Sequence, residues 1–123
     1  MNKTILIVDD DPFILKTIAL KFQKSDYEVS VAKNAEEAEE VLASSVPNVV
    51  LLDIILPGVN GLEILKKIKS NPKTKEVPVV IFSNLGSNQE IKEAMDLGAT
   101  KYIVKANLTP DLVVEEINKL LSK

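Results

Sequence analysis

The 123-residue chain has no cysteine, no histidine and no tryptophan, and all 15 of its basic residues are lysine. Without cysteine it forms no disulfide and offers no thiolate to a metal. Without histidine it has no imidazole ligand, no Ser-His or Cys-His pair, and no phosphohistidine of its own. Without arginine it lacks the planar guanidinium fork that commonly clamps phosphates and reads DNA bases. Long apolar runs are also missing. Ile5-Leu6-Ile7-Val8 is followed at once by Asp9-Asp10-Asp11, too short for a signal-peptide core or a membrane span. The net charge of −3 gives no long-range attraction to nucleic acid or an anionic membrane. What is left is carboxylates, hydroxyls, lysine and a hard cation, in a chain expected to be cytoplasmic. Its length and 46% apolar content suit one hydrophobic core.

The pattern that fills this chain is a short β-branched run, a turn and a segment of helical spacing, five times over. The runs are Ile5-Val8, Val29-Ala32, Val49-Leu52, Val79-Phe82 and Tyr102-Val104. The first, third and fourth are apolar throughout, as expected of parallel strands covered on both faces. Helix starts carry their own chemistry. Asn34 with Glu37 and Ser87 with Glu90 have capping-box spacing, while Asp11-Pro12 and Thr109-Pro110 pair a capping oxygen with a first-turn proline. Asn71-Pro72 and Gly98 read as stops. Five such units predict an α/β fold, a doubly wound five-stranded parallel sheet of flavodoxin-like (βα)5 type; 2-1-3-4-5 is the common order at this size. No linker or repeat interrupts the pattern. The last helix, about 110–121, ends close to the terminus, and a single domain over 1–123 is expected.

Polar residues stand where the apolar strands end: Asp9 and Asp10 after the first, Asp53 after the third, Ser83 after the fourth and Lys105 after the fifth. In a parallel sheet these ends share one rim, the edge at which open α/β folds bind ligands. Each residue has an ordinary reading as a cap, a strand-end hydroxyl or a surface lysine, and for Asp11 beside Pro12 the cap is the better one. Together, three carboxylates and one lysine carry a formal charge of −2, which calls for a cation. Mg²⁺ suits an oxygen-only donor set and brings the sum to zero. A carboxylate beside Mg²⁺ and a lysine can attack phosphorus to form an acyl phosphate, with Ser83 donating to a phosphoryl oxygen. Pro57-Gly58 predicts a tight turn that holds Asp53 at the rim, with Gly61 after Asn60 where the next helix begins.

These motifs, Val8-Asp9-Asp10, Asp53 with Pro57-Gly58 and Gly61, Ser83 and Gly98-Ala99 with Tyr102 and Lys105, resemble the receiver domain of two-component response regulators. The single-domain kind typified by the chemotaxis regulator is the most similar, over essentially the whole chain. The resemblance implies a phosphorylation-dependent switch rather than an enzyme, with at most self-phosphorylation and slow autodephosphorylation. It implies Asp53 as phosphoacceptor, Asp9, Asp10, Asp53 and the Ile55 carbonyl at a Mg²⁺ site, Lys105 on the phosphate, and Ser83 and Tyr102 as switch residues. Implied partners are a sensor histidine kinase or phosphotransfer protein as donor and a downstream protein on the fourth helix, fifth strand and fifth helix. That surface carries Lys92, Lys101, Glu115 and Glu116. No direct contact with nucleic acid or membrane is implied, and the molecule is a monomer or a dimer promoted by phosphorylation.

Three positions depart from the pattern. Ala106 stands where the family usually has proline after its lysine, leaving a trans peptide or stored strain as alternatives. Asn84 follows Ser83 where a small residue is common. Ile55 and Leu85, each two positions beyond a site residue, cannot orient a water by hydrogen bonding, which points to a long-lived acyl phosphate. Three other readings compete. A haloacid-dehalogenase-like phosphatase would use the D-x-D spacing of Asp9-Asp10-Asp11, though Phe13 sits where Thr or Val is common. A flavodoxin-type carrier shares the topology, but three aspartates would repel its phosphate. A silent receiver would keep only the fold.

Overall fold

A computed structural model describes residues 3–122. Its main sheet contains β1 (Lys3–Val8), β2 (Tyr27–Ala32), β3 (Val49–Leu52), β4 (Val79–Ser83) and β5 (Lys101–Val104). Five helices alternate with them: α1 (Pro12–Lys24), α2 (Ala35–Ser44), α3 (Gly61–Ser70), α4 (Asn88–Asp96) and α5 (Pro110–Leu121). All strand pairs of the sheet are parallel, in the order β2-β1-β3-β4-β5. This is the doubly wound sheet predicted from the alternating runs.

Strand alternation divides the core. Leu6, Val8, Val50, Leu52 and Ile81 point to one face and pack with Ala38 of α2, Leu65 of α3 and Ala94 of α4. Ile5, Ile7, Val49, Leu51 and Val80 point to the other and meet Leu15, Ile18 and Phe22 of α1 and Val113 and Ile117 of α5. Burying one such side chain contributes about 1.5–3 kcal/mol. The central strands β1, β3 and β4 therefore need apolar residues on both faces, whereas β2, at the edge, exposes Glu28, Ser30 and Val31.

Caps hold each helix start to the rim. Asp11 accepts from the Phe13 and Ile14 amides, Asn60 from Leu62 and Thr109 from Leu112. Ser87 and Glu90 complete a reciprocal capping box. Asn34 accepts from Glu37, but the Glu37 carboxylate returns to the Lys33 amide (2.9 Å), one residue earlier than the box spacing predicts. Between Asp53 and α3 the chain forms a two-stranded antiparallel ribbon, Ile55–Leu56 with Val59–Asn60, of which the sequence shows only the turn. Pro57-Gly58 closes it, and Gly58 takes φ 73°, as at the third position of a type II turn. After β5 the chain enters a 3₁₀ turn, Lys105–Asn107. All described peptide bonds are trans, so Lys105-Ala106 takes the first of its two alternatives.

Candidate functional site: an acidic pocket at the sheet rim

The sheet's own hydrogen bonds continue past the strand ends and place the first two carboxylates. The Asp9 amide donates to the Ala32 carbonyl (3.0 Å) and the Asp53 amide to the Val8 carbonyl (2.9 Å). Asp9 (1% exposed) and Asp53 (4%) are thus buried side by side, while Asp10 is exposed. One carboxylate oxygen from each of the three lies within 4.8 Å of the others. Lys105 reaches in from the turn after β5, its Nζ 2.7 Å from Asp9 Oδ2 and 2.9 Å from Asp53 Oδ2, and 5.6 Å from the centre of the Phe82 ring. The remaining oxygens are held by backbone: Asp9 Oδ1 accepts from the Asp11 amide and Asp53 Oδ1 from the Ile55 amide, both at 3.0 Å.

The charges in this pocket are unevenly served. Burial pushes the Asp9 carboxyl above its ordinary value, and the nearby Lys105 ammonium and the Asp11 amide offset this only in part. Burial pulls Lys105 down, but Asp9 and Asp53 together outweigh it and hold the ammonium above its ordinary value. The ammonium meets Asp53 Oδ2 as a hydrogen bond. It lies beside Asp9 Oδ2 without hydrogen-bond alignment, so that oxygen is a buried acceptor with a charge neighbour and no donor. An acceptor-only oxygen of this kind, with two more carboxylates beside it, fits a hard divalent cation. Mg²⁺ is the ion that matches the oxygen-only donor set.

Ser83 closes β4 and is fully buried, its Oγ accepting from the Leu85 amide (3.2 Å). Half-buried Tyr102 in β5 donates its hydroxyl to the Leu85 carbonyl. Burial raises the Tyr102 phenol above its ordinary value, with Glu90 adding to the shift, so the hydroxyl stays a donor at neutral pH.

The sequence profile of the response regulator receiver domain matches residues 5–118. The chain belongs to the response regulator receiver domain family. It is 36% identical to the chemotaxis protein CheY of Thermotoga maritima over 122 residues, which cover 98% of either chain. It is 33% identical to the phosphate regulon transcriptional regulatory protein PhoB of Pseudomonas aeruginosa over 113 residues, 92% of this chain and 49% of that one. The chain spans about half, or less, of the length of several relatives it matches. The crystal structure of the beryllofluoride-activated receiver domain of RstA from Klebsiella pneumoniae superposes with a TM-score of 0.87 at 31% identity, covering 98% of this chain and 99% of that one.

In this receiver domain Asp9, Asp10, Asp53 and Lys105, four of the five strand-end residues, converge at the rim. Ser83 lies on the neighbouring strand and is turned toward its own loop. Asp11 is an exposed helix cap, which removes the second carboxylate that a D-x-D phosphatase would need in the pocket. Asn84 is exposed, Ile55 is 50% exposed and Leu85 is half-buried. On the fourth-helix surface Lys101 pairs with Glu116 (2.9 Å), joining β5 to α5, whereas Lys92 pairs with Asp96 inside α4 (2.9 Å).

Three contributions are not visible in the sequence. Phe82 supplies a ring face beneath the Lys105 ammonium, and nothing in a strand phenylalanine signals that. Leu85 supplies a backbone carbonyl, which no side-chain motif reveals. Gly61 is the third: a β-carbon there would stand 2.4 Å from the Asp53 carbonyl oxygen and 2.5 Å from Ile54 Cα. The start of α3 is therefore pressed against the backbone that carries Asp53. Asn60-Gly61 signals a helix start in the sequence, but the neighbour that excludes a side chain becomes visible only in three dimensions.

Proposed function

We propose that the chain, residues 1–123, acts as one receiver domain that accepts a phosphoryl group on Asp53 and uses it to change its surface toward a partner. The observation that carries this reading is the buried Asp53 carboxylate held beside the Lys105 ammonium and two further carboxylates, one of them with a buried oxygen that is ion-paired but accepts no aligned hydrogen bond. Asp9, Asp10, Asp53 and the Ile55 carbonyl are the oxygens we assign to Mg²⁺, which supplies charge neutralisation at the phosphoryl oxygens. In the transfer an Asp53 oxygen forms the new bond to phosphorus. The bond from phosphorus to the donor's nitrogen or oxygen breaks, and the electron pair leaves with the donor. The donor is a sensor histidine kinase, a phosphotransfer protein or a small acyl phosphate. Lys105 stabilises negative charge on the transferred group.

The acyl phosphate adds negative charge and acceptor oxygens where one carboxylate stood. Ser83 turns its hydroxyl toward them and draws on the loop that Tyr102 holds at Leu85. The surface of α4, β5 and α5 is thereby biased between two forms. A downstream protein is its reader, with no direct role for nucleic acid or membrane. The chain acts in the cytoplasm as a monomer or a phosphorylation-promoted dimer, and its own chemistry is limited to self-phosphorylation and slow autodephosphorylation.

Acetyl phosphate with Mg²⁺ is expected to label the protein at Asp53, and chelation with EDTA to abolish the labelling. Peptide mapping that found the acyl phosphate on Asp9 would overturn the assignment in favour of phosphatase-like chemistry. Beryllofluoride taken up only with Mg²⁺ would separate an active receiver from a silent one. Mg²⁺ at about a hundred times its Kd is expected to raise folding stability by about 2.7 kcal/mol, read as a shift in the unfolding midpoint.

The apolar side chains of Ile55 and Leu85 predict slow hydrolysis, because neither can hydrogen-bond an attacking water. Phosphate release from Asp53 is expected to take longer than seconds in Mg²⁺, and Ile55→Asn is expected to accelerate it severalfold in a phosphate-release assay.

A further inference from the structure

A cavity of 560 Å³ forms a groove on the side of α4 that faces α3, away from β5 and α5. Its apolar wall is built from the ribbon and the loop after β4, by Ile55, Leu56, Val59 and Leu85, and its other wall carries Glu90 and Glu93 of α4. No lysine lines it. α4 itself is shallowly embedded, with Ala94 its one buried residue, so the groove is bounded by a helix that few core contacts restrain.

From this juxtaposition we propose that the groove between the ribbon and α4 docks a partner segment that presents apolar side chains flanked by lysine or arginine, with an affinity set by the state of Asp53. The apolar wall supplies area to bury, and the two glutamates supply a charge that favours a cationic segment and repels an acidic one. The second part of the proposal rests on the function proposed above. It follows from two hydrogen bonds: the Ile55 amide donates to Asp53 Oδ1 and the Leu85 amide to Ser83 Oγ. Both apolar residues are thus tied through their own backbone to a side chain that must rearrange when Asp53 is modified, and they move as the site moves.

A second copy of the chain is the competing occupant, because α1 exposes Phe13, Lys16, Leu20 and Lys24. That helix packs on the opposite face of the sheet from α4. A self-contact would join unlike surfaces and propagate head to tail rather than close into a pair.

The test titrates the full ¹⁵N-labelled chain with a short synthetic amphipathic helix of leucine and lysine, and with the same peptide carrying glutamate for lysine. Expected are amide shifts confined to residues 54–62 and 85–93 with the lysine peptide, and none with the glutamate peptide. Glu93→Lys and Val59→Lys should each weaken binding by about tenfold or more while leaving acetyl phosphate labelling unchanged. Addition of beryllofluoride and Mg²⁺ should change the affinity of the unmutated chain severalfold. Shifts centred on the acidic face of α2 (Glu36, Glu39, Glu40), or full binding by Glu93→Lys, would overturn the docking site. So would concentration-dependent association of the chain alone that Phe13→Ser abolishes. Beryllofluoride that binds without altering peptide affinity would overturn the coupling. Peptide binding in the groove with no uptake of beryllofluoride would instead sustain the docking site and count against the function assigned to Asp53.

Discussion

The Asp53→Asn protein is expected to lose acyl-phosphate labelling by at least about a thousandfold while remaining folded, because the substitution removes the nucleophile and little else. The amide oxygen of asparagine can still accept from the Ile55 amide as Asp53 Oδ1 does at 3.0 Å. Its nitrogen, however, has no lone pair free for phosphorus and faces the Lys105 ammonium as a second donor. Labelling with acetyl phosphate, read beside a far-UV spectrum and an unfolding midpoint, separates lost chemistry from a lost fold. Retained labelling in a folded Asp53→Asn protein would sink the assignment. Lys105→Ala supplies the complementary measurement. Taking away the positive charge that now sits 2.7 Å from Asp9 Oδ2 and 2.9 Å from Asp53 Oδ2 should slow phosphoryl transfer by about a hundredfold or more. It should also tighten Mg²⁺ binding, since the cation no longer shares those oxygens with an ammonium. A lysine that served only to hold β5 in place would move stability without moving the two in opposite directions.

Gly61→Ala is expected to destabilise the fold by about 3 kcal/mol or more, the upper range for forced overpacking. It should depress labelling of whatever protein remains folded. The added methyl would lie 2.4 Å from a backbone oxygen and 2.5 Å from a backbone carbon, both in the segment that carries Asp53. Backbone cannot swing aside as the end of a flexible side chain can. To make room, α3 must lift from Ile54, whose carbonyl accepts from the Gly61 amide at 2.8 Å, or the phosphoacceptor must shift. Gly58→Ala makes the contrast. Nothing lies within 4 Å of its β-carbon position, so its cost is confined to the positive φ of 73°, about 1–2 kcal/mol. Denaturant titrations that rank Gly58→Ala above Gly61→Ala in cost would contradict this reading.

Much of the fold is legible because the signals that encode it are local and repeated. Two-faced apolar runs identify β1, β3 and β4 as interior strands, and caps such as Asp11, Ser87 and Thr109 mark helix starts by side-chain chemistry that acts within three residues. The ribbon after Asp53 is the exception. Two residues per strand are too few for alternation to show, so only the Pro57-Gly58 turn is visible. The Glu37 carboxylate shows a similar limit, since capping-box spacing names the partners of a bond but not which of two adjacent amides receives it.

The site divides along the same line. That Asp9, Asp10, Asp53, Ser83 and Lys105 share one rim follows from the sequence alone, because parallel strands must end on the same side. Which of them touch does not follow, since contact depends on strand order, register and side-chain direction. Only the tertiary structure sets Lys105 between two buried carboxylates, leaves Asp9 Oδ2 without a donor, turns the Ser83 hydroxyl toward Leu85 and opens the groove beside α4. Periodicity and strand-end chemistry reside in the order of residues along the chain. Distances between residues such as Lys105 and Asp9, nearly a hundred positions apart, are set by how the helices pack the sheet.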